Sequence, residues 1–285
     1  MSSPHSSFRS DPSSISVITI YDIRRDYNPQ PWLPSIWRIR FVLNYKRLQY
    51  QTIWIEFPDV ESRLKSIGAP PTHIGPNGQP IYSLPILIDP TRDLAGTGSN
   101  RPIIISSANS ISEYLEIAYP SRPIFPAGSR ALQTLFVHYI QEVFAKPLLP
   151  ILVPLSHQQL SQRSQTHFRG HPSLSEGYTQ APRYPYHSNQ PLPPGPRRDQ
   201  AWLIAKEQFD FLDIILQKNA GGRDELEDSV VAMGHELTYA DFALCAVLMW
   251  IRQIAPSDGW ERVRHWNEGR WERLWERCKQ YMDDH

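Results

Sequence analysis

ISVITIYDIRRDYNPQPWLPSIWRIRFVLNYKRLQYQTIWI, residues 15–55, is the stretch whose reading decides the fold. Its opening seven residues, Ile15 to Tyr21, alternate apolar and polar, the period of a strand. Pro34 then fits the first turn of a helix, where a missing N–H costs nothing. From there Ile36, Ile39–Arg40, Val42–Leu43 and Tyr45–Lys46 recur at near-helical spacing with basic residues between them. Tyr50 to Ile55, rich in β-branched and aromatic residues, reads as a second strand.

Working outward, Leu84 to Ile88 gives a third strand after a turn-rich stretch. Gly96–Asn100 has the composition of a hairpin tip, and Ile103–Ile105 returns as a fourth strand. Ser110 to Tyr119 reads as a helix with Ile111, Leu115 and Ala118 on one face, stopped by Pro120. Two strands joined by a crossover helix, then a hairpin and a helix, is the order of a thioredoxin-like domain, here over residues 15–120. Beyond residue 128 no strand pattern appears. Leu132, Leu135, Phe136, Tyr139, Ile140 and Val143 form one helical stripe, and Trp202, Ala205, Phe209, Leu212 and Leu216 a second. Thr238-x-x-Asp241 is a capping box, with Leu237 and Phe242 placed as a hydrophobic staple. The helix it starts is apolar nearly all round and is expected at the centre of an all-α domain spanning 128–285.

The 285 residues carry 29 Lys+Arg against 29 Asp+Glu, and this balance argues against a nucleic-acid or anionic-membrane partner. Of the 27 prolines, 16 precede residue 147, 10 fall from Pro147 to Pro196, and only Pro256 follows. Three regimes are therefore expected. Residues 1–14, Ser-rich and without an apolar segment, read as a disordered tail rather than a signal peptide. No run of apolar residues approaches the roughly 20 needed to span a bilayer, so a cytoplasmic location is expected. Cys245 and Cys278 sit on apolar helical faces and read as buried and inert. The histidines lack metal-ligand spacing, Gly96-Thr-Gly-Ser lacks the Lys-Ser/Thr of a phosphate loop, and Arg24-Arg25 and Arg197-Arg198 are isolated basic pairs.

Several pieces together resemble a family. PWLPSIWRIRFVLNYK (31–46), IGAPPT (67–72), YSLPILIDP (82–90), ISEYLEIAYP (111–120), IFPAG (124–128), RSQTHFR (163–169), LTYADFAL (237–244) and WNEGRWERL (266–274) run in the order found in glutathione transferases. More narrowly, the chain is similar to the fungal etherase-related class, related to β-etherases. The resemblance implies a thioredoxin-like domain followed by a helical one and a homodimer. It also implies glutathione on the first domain and an apolar co-substrate against the second.

Within that resemblance, Leu84 before a cis-Pro85 would offer its backbone to the cysteinyl part of glutathione. An acidic–Ser pair at a helix start would hold the γ-glutamyl end, and a serine at the start of the first helix would stabilise the thiolate. Two of these devices are altered. The family's Trp-Ser-Pro-Asn reads Trp32-Leu33-Pro34-Ser35, so Leu33 occupies the serine position. The acidic–Ser pair aligns with Ser107-Ala108, without the charge and the hydroxyl of the pair. Ser35 is the best remaining hydroxyl and the candidate catalytic residue; Tyr21 reads first as a core or edge aromatic. Altered or lost thiol activation is the competing account and ranks ahead of simple replacement by Ser35. Trp32, Phe136, Tyr139, Phe168 and Arg169 are the candidate co-substrate residues. The Pro-rich stretch 170–200 cannot be one continuous helix and reads as a surface insertion or a lid. The expected function is a glutathione-dependent enzyme acting on a bulky apolar, aromatic or secondary-metabolite substrate. Thiol addition, ether cleavage and assisted isomerisation are the candidate reactions. The alternative is a repurposed fold: a glutathione-independent isomerase, dehydratase or cyclase, or a binding protein without catalysis.

Overall fold

A computed structural model describes residues 17–26, 30–75, 77–90, 102–170, 190–219, 230–234 and 236–282, the side chains of 168–170 excepted. The expected amino-terminal tail, the hairpin tip at 96–100 and most of the Pro-rich stretch lie outside the described residues. The first domain is built on a four-stranded sheet of β1 (Ile18–Ile23), β2 (Tyr50–Ile55), β5 (Ile86–Asp89) and β6 (Ile103–Ser106), in the order β2-β1-β5-β6. β1 and β2 are parallel and joined by α1 (Pro34–Tyr45). β5 runs antiparallel to both of its neighbours. α2 (Val60–Ser66) follows β2, and α3 (Ala108–Ala118) follows β6. The thioredoxin-like reading therefore holds, with β1 shifted three residues beyond its expected start.

A short hairpin, β3 (His73–Ile74) and β4 (Pro80–Ile81), occupies the stretch that reads as turn-rich. Strands of two residues carry no periodicity for a sequence reading to detect. The Thr72 hydroxyl closes the base of this hairpin, donating to the Ser83 carbonyl at 3.0 Å and accepting from the Ser83 N–H at 2.9 Å.

The second domain is helical: α4 (Arg130–Tyr139), α5 (Leu149–Gln158), α6 (Gln162–Gly170), α7 (Pro196–Leu216), α8 (Tyr239–Ile254), a single turn α9 (Glu261–Val263) and α10 (Arg270–Cys278). α7 starts at Pro196, so the Pro-rich stretch ends earlier than its expected limit at 200; Pro196 opens the helix instead of interrupting it. From Arg130 to Gln158 the helical run continues through a π turn and a 3₁₀ turn. Its 29 residues reach the length and hydropathy of a bilayer span, which the sequence reading did not anticipate. The run packs through α4 and α5 on α8, as a helix of a folded domain does.

α8 is the central helix, buried from Tyr239 to Ile251 and again at Ile254. Each large side chain withdrawn from water there contributes about 1.5–3 kcal/mol. Its start carries the expected capping box: Asp241 accepts from the Thr238 N–H and hydroxyl, both at 2.8 Å, and from the Ala232 N–H at 2.7 Å. Burial pushes the Asp241 carboxyl up to about 6, against those hydrogen bonds, which pull it down. Leu237 and Phe242 are both buried, as a staple requires. Cys245 and Cys278 are buried as well, and burial together with Cys245 pushes the Cys278 thiol up.

The two domains meet along α1 and α8, where Phe41 stacks on Phe242 with ring centroids 5.6 Å apart. The linker between them is held by Lys46. Its ammonium, fully buried, donates to Glu116 at 2.7 Å and to the carbonyls of Tyr119 at 2.9 Å and Arg122 at 3.2 Å. Glu116 in turn accepts from the N–H groups of Ile124 and Phe125. A buried charge is tolerable only with this degree of pairing.

Candidate functional site

Three chain segments converge at one edge of the sheet. Tyr21 of β1 pairs with Ile86 of β5, so the carboxyl end of β1 lies level with the Leu84–Pro85 step. Ile86 pairs with Ser106 of β6, and one step further the register sets Pro85 beside Ser107. The loop before α1 is pinned to the same edge: the Trp32 indole donates to the Ile23 carbonyl at 3.3 Å, and the Trp37 indole to the Pro31 carbonyl at 3.0 Å. Crevices at strand ends of this kind are where open α/β sheets bind ligands.

The Leu84–Pro85 peptide is cis. Among the described residues, no turn or loop hydrogen bond takes up the Leu84 N–H or carbonyl. At α3, the N-cap Ser107 has φ 72° and ψ 138°, a conformation that costs a non-glycine residue on the order of 1–3 kcal/mol. Its hydroxyl donates to the Ser110 hydroxyl at 3.0 Å and accepts from the Ser110 N–H at 3.3 Å. The first turn of α3 thus presents two hydroxyls where the sequence comparison found the pair's hydroxyl missing. Ser107-x-x-Ser110 has N-cap spacing, which places the cap three residues before the expected helix start at Ser110. Ala108 offers no side chain to a ligand: it is buried, and its carbonyl accepts from the Ser112 and Tyr239 hydroxyls.

At α1, Leu33 is the N-cap, only 4% exposed and without a side-chain cap. Its carbonyl accepts from Ile36 and Trp37, while Pro34 at the first position has no N–H to give. Ser35 follows, half-buried, and its hydroxyl takes part in no hydrogen bond among the described residues. The starts of α1 and α3 are tied together, because Arg38 donates to Asn109 at 3.1 Å and Tyr239 of α8 to the same amide oxygen at 2.8 Å.

The other candidates divide. Trp32 is 1% exposed, and its indole ties the loop to the end of β1. Tyr21 is core too, 1% exposed, with the Arg63 guanidinium over its ring. Tyr139 faces α7, where its hydroxyl donates to Gln208 at 3.2 Å and its ring lies 6.1 Å from that of Phe211, and Phe136 packs beside it with ring centroids 6.3 Å apart. Burial pushes the Tyr139 phenol up. Phe168 and Arg169 belong to the end of α6, and their side chains lie outside the described residues.

The helical domain reaches the sheet edge by another route. Asp26 donates its N–H to the Gln159 carbonyl at 3.1 Å, and Arg25 reaches the Gln159 and Gln253 side chains. α6 is clasped to the segment after β2: Arg163 grips Asp59 with two bonds of 2.6 Å, and Ser161 donates to Glu56 at 2.7 Å.

A thioredoxin-like sheet with a cis-proline at its edge and a capped helical domain packed on α1 defines a glutathione-transferase architecture. Residues 131–281 match the family model described as glutathione S-transferase, C-terminal domain, and the chain belongs to the glutathione S-transferase superfamily. Among solved structures, the glutathione transferase GSTFuA3 of Phanerochaete chrysosporium is 30% identical, with a TM-score of 0.76 over 94% of this chain and 98% of that one. A glutathione S-transferase of Ceriporiopsis subvermispora, solved in complex with glutathione, is 33% identical, with a TM-score of 0.73 over 93% of this chain and 99% of that one. The glutathione S-transferase-like protein ustS of Aspergillus flavus is 22% identical over 260 residues, 88% of this chain and 85% of its own.

Proposed function

We propose that this chain is a glutathione-binding enzyme of the fungal etherase-related class that acts on a bulky apolar substrate with altered thiol activation. The observation that carries the reading is the cis Leu84–Pro85 step set beside the start of α3, where backbone groups and two hydroxyls face one edge. The Ceriporiopsis relative solved with glutathione supports it. Leu84 would hold the cysteinyl backbone, and Ser107 with Ser110 the γ-glutamyl end. The thiol would meet the start of α1, where the helix dipole and the Ser35 hydroxyl favour a thiolate and Leu33 contributes no donor. An apolar residue at that position weakens activation, since a charge-assisted hydrogen bond is among the stronger stabilisers of an anion. Addition to, or displacement on, an apolar electrophile, such as an aromatic or secondary-metabolite compound, follows from a bound thiolate.

Titration calorimetry with glutathione and S-hexyl-glutathione tests the reading; absence of binding at millimolar concentration removes it in favour of a glutathione-independent activity in the same fold. Ser35→Ala is expected to lower turnover of an electrophilic test substrate by about tenfold while glutathione affinity is kept. Full activity in that variant would leave the helix dipole and backbone as the whole of the activation. A homodimer is part of the same reading. It is supported by Leu132 and Leu135 on α4 and by Phe211 and Ile214 on α7, each at least half exposed. Sedimentation of the full chain measures it.

A further inference from the structure

Arg25 sits where the chain leaves β1. Ile23 is the last paired residue, level with Ile55 of β2, and the Arg24 N–H still donates to the Ile55 carbonyl at 2.9 Å. Arg25 is the next residue, on the loop that leads to Leu33 and Ser35. Extending the register of β1 on β5 sets Ile23 level with Leu84, so at about 3.3 Å per residue the Arg25 backbone lies roughly 7 Å past that level.

Its side chain turns to the helical domain. One terminal nitrogen donates to the Gln253 side-chain oxygen at 3.3 Å and the other to that of Gln159. Both acceptors are neutral amides, one at the end of α5 and one on α8. No carboxylate among the described residues, Asp26 included, is paired with this guanidinium; burial alone acts on it, drawing it below its ordinary value. The buried cations among the described residues divide: Lys46 meets Glu116, Arg270 meets Asp213 and Arg40 lies 3.7 Å from Asp22, while Arg38, like Arg25, donates to an amide, that of Asn109. Arg25 is half-buried, and a carboxylate would pair with its charge better than the two neutral amides do.

The geometry also leaves capacity. A guanidinium has five N–H donors, and two are engaged by the amides. The remaining three stay on the fixed planar fork, available to an acceptor such as a carboxylate. The two glutamines fix the plane of that fork between the domains.

We infer that Arg25 is a specificity-determining residue that takes the carboxylate of an otherwise apolar co-substrate, at the junction between the sheet edge and the helical domain. This rests on the proposed function for the position of the co-substrate, and adds the class of compound: an aromatic or alicyclic acid.

The test uses the full chain and two probes of one shape, 2-naphthoate and the neutral 2-naphthamide, with glutathione titrated separately. The wild type is expected to bind naphthoate about tenfold more tightly than the amide. Arg25→Gln should remove that preference and leave affinities for naphthamide and glutathione within about twofold. Arg25→Lys, which keeps the charge without the fork, should retain part of it. Equal affinity of the wild type for the two probes, or an unchanged ratio in the Gln variant, overturns the inference. Should the Gln variant fail to fold, the wild-type ratio and the Lys variant still decide. Loss of glutathione binding with the naphthoate preference intact would overturn the glutathione reading and leave this one standing.

Discussion

α1 and α8 pack against each other, yet their amino ends are finished in opposite ways. The start of α8 is closed: Thr238 and Asp241 satisfy each other and Ala232, and a staple of Leu237 and Phe242 covers them. The start of α1 has an apolar N-cap, a proline and a serine whose hydroxyl is unengaged among the described residues. The start of α3 lies between the two, with one hydroxyl pair on a strained N-cap. A helix end closed by its own side chains is architecture. One left open at a sheet edge keeps its donors and its dipole for something else.

The largest test of this contrast is at α8. Asp241→Ala is expected to destabilise the protein by about 3 kcal/mol, read by denaturant unfolding, because it deletes a cap and strands buried N–H groups. The same carboxyl gives a pH signature. Its folded value of about 6 lies above the 3.8 of a free Asp carboxyl, so the native state holds the proton more tightly between those limits. This group's contribution to stability is therefore full at the low end of the window and lost as pH rises through about 6, by on the order of 3 kcal/mol. Relative to Asp241→Asn, the wild type should gain stability from about pH 7 to about pH 4.5; a constant difference would refute the assignment.

Leu33→Ser sharpens the contrast from the other side. Losing the buried leucine costs about 3 kcal/mol and the new cap returns about 1, so a net loss of about 2 is expected. Despite that loss, the thiolate absorbance of bound glutathione should rise at neutral pH. An unchanged thiol would mean that the start of α1 does not face it. The smallest effect belongs to α3. Ser107→Gly should leave stability within about 1 kcal/mol, because relief at φ 72° offsets the lost hydroxyl, while glutathione affinity falls.

Much of this was legible in the chain. The alternation in Ile15–Tyr21, the β-branched YQTIWI and the capping signature at Thr238 are local patterns with local causes, and the structure reproduces the elements they imply. The Leu84–Pro85 step was readable because a proline at a strand start demands an explanation. Other features depend on distant partners and leave no local trace. Arg25 reads as half of an isolated basic pair, yet its acceptors lie 134 and 228 residues away. Trp32 reads as a pocket aromatic, and only the fold reveals that its indole also anchors a loop. Ser107 adopts a conformation that glycine or asparagine would have advertised. Phe136 and Tyr139 have the right spacing for a buried stripe, but spacing does not say which neighbour the stripe meets.

The Lys46 hub has a consequence for how this chain can be divided. The ammonium comes from the first domain, and its acceptors are a helix of that domain and the carbonyls of the linker. Cutting the linker after residue 118 would remove three of its four acceptor groups and leave Glu116 without the two N–H groups it receives from Ile124 and Phe125. The thioredoxin-like half is thus complete only when it carries the linker through residue 125. Any exchange of parts with a relative must carry α1, α3 and residues 119–125 together.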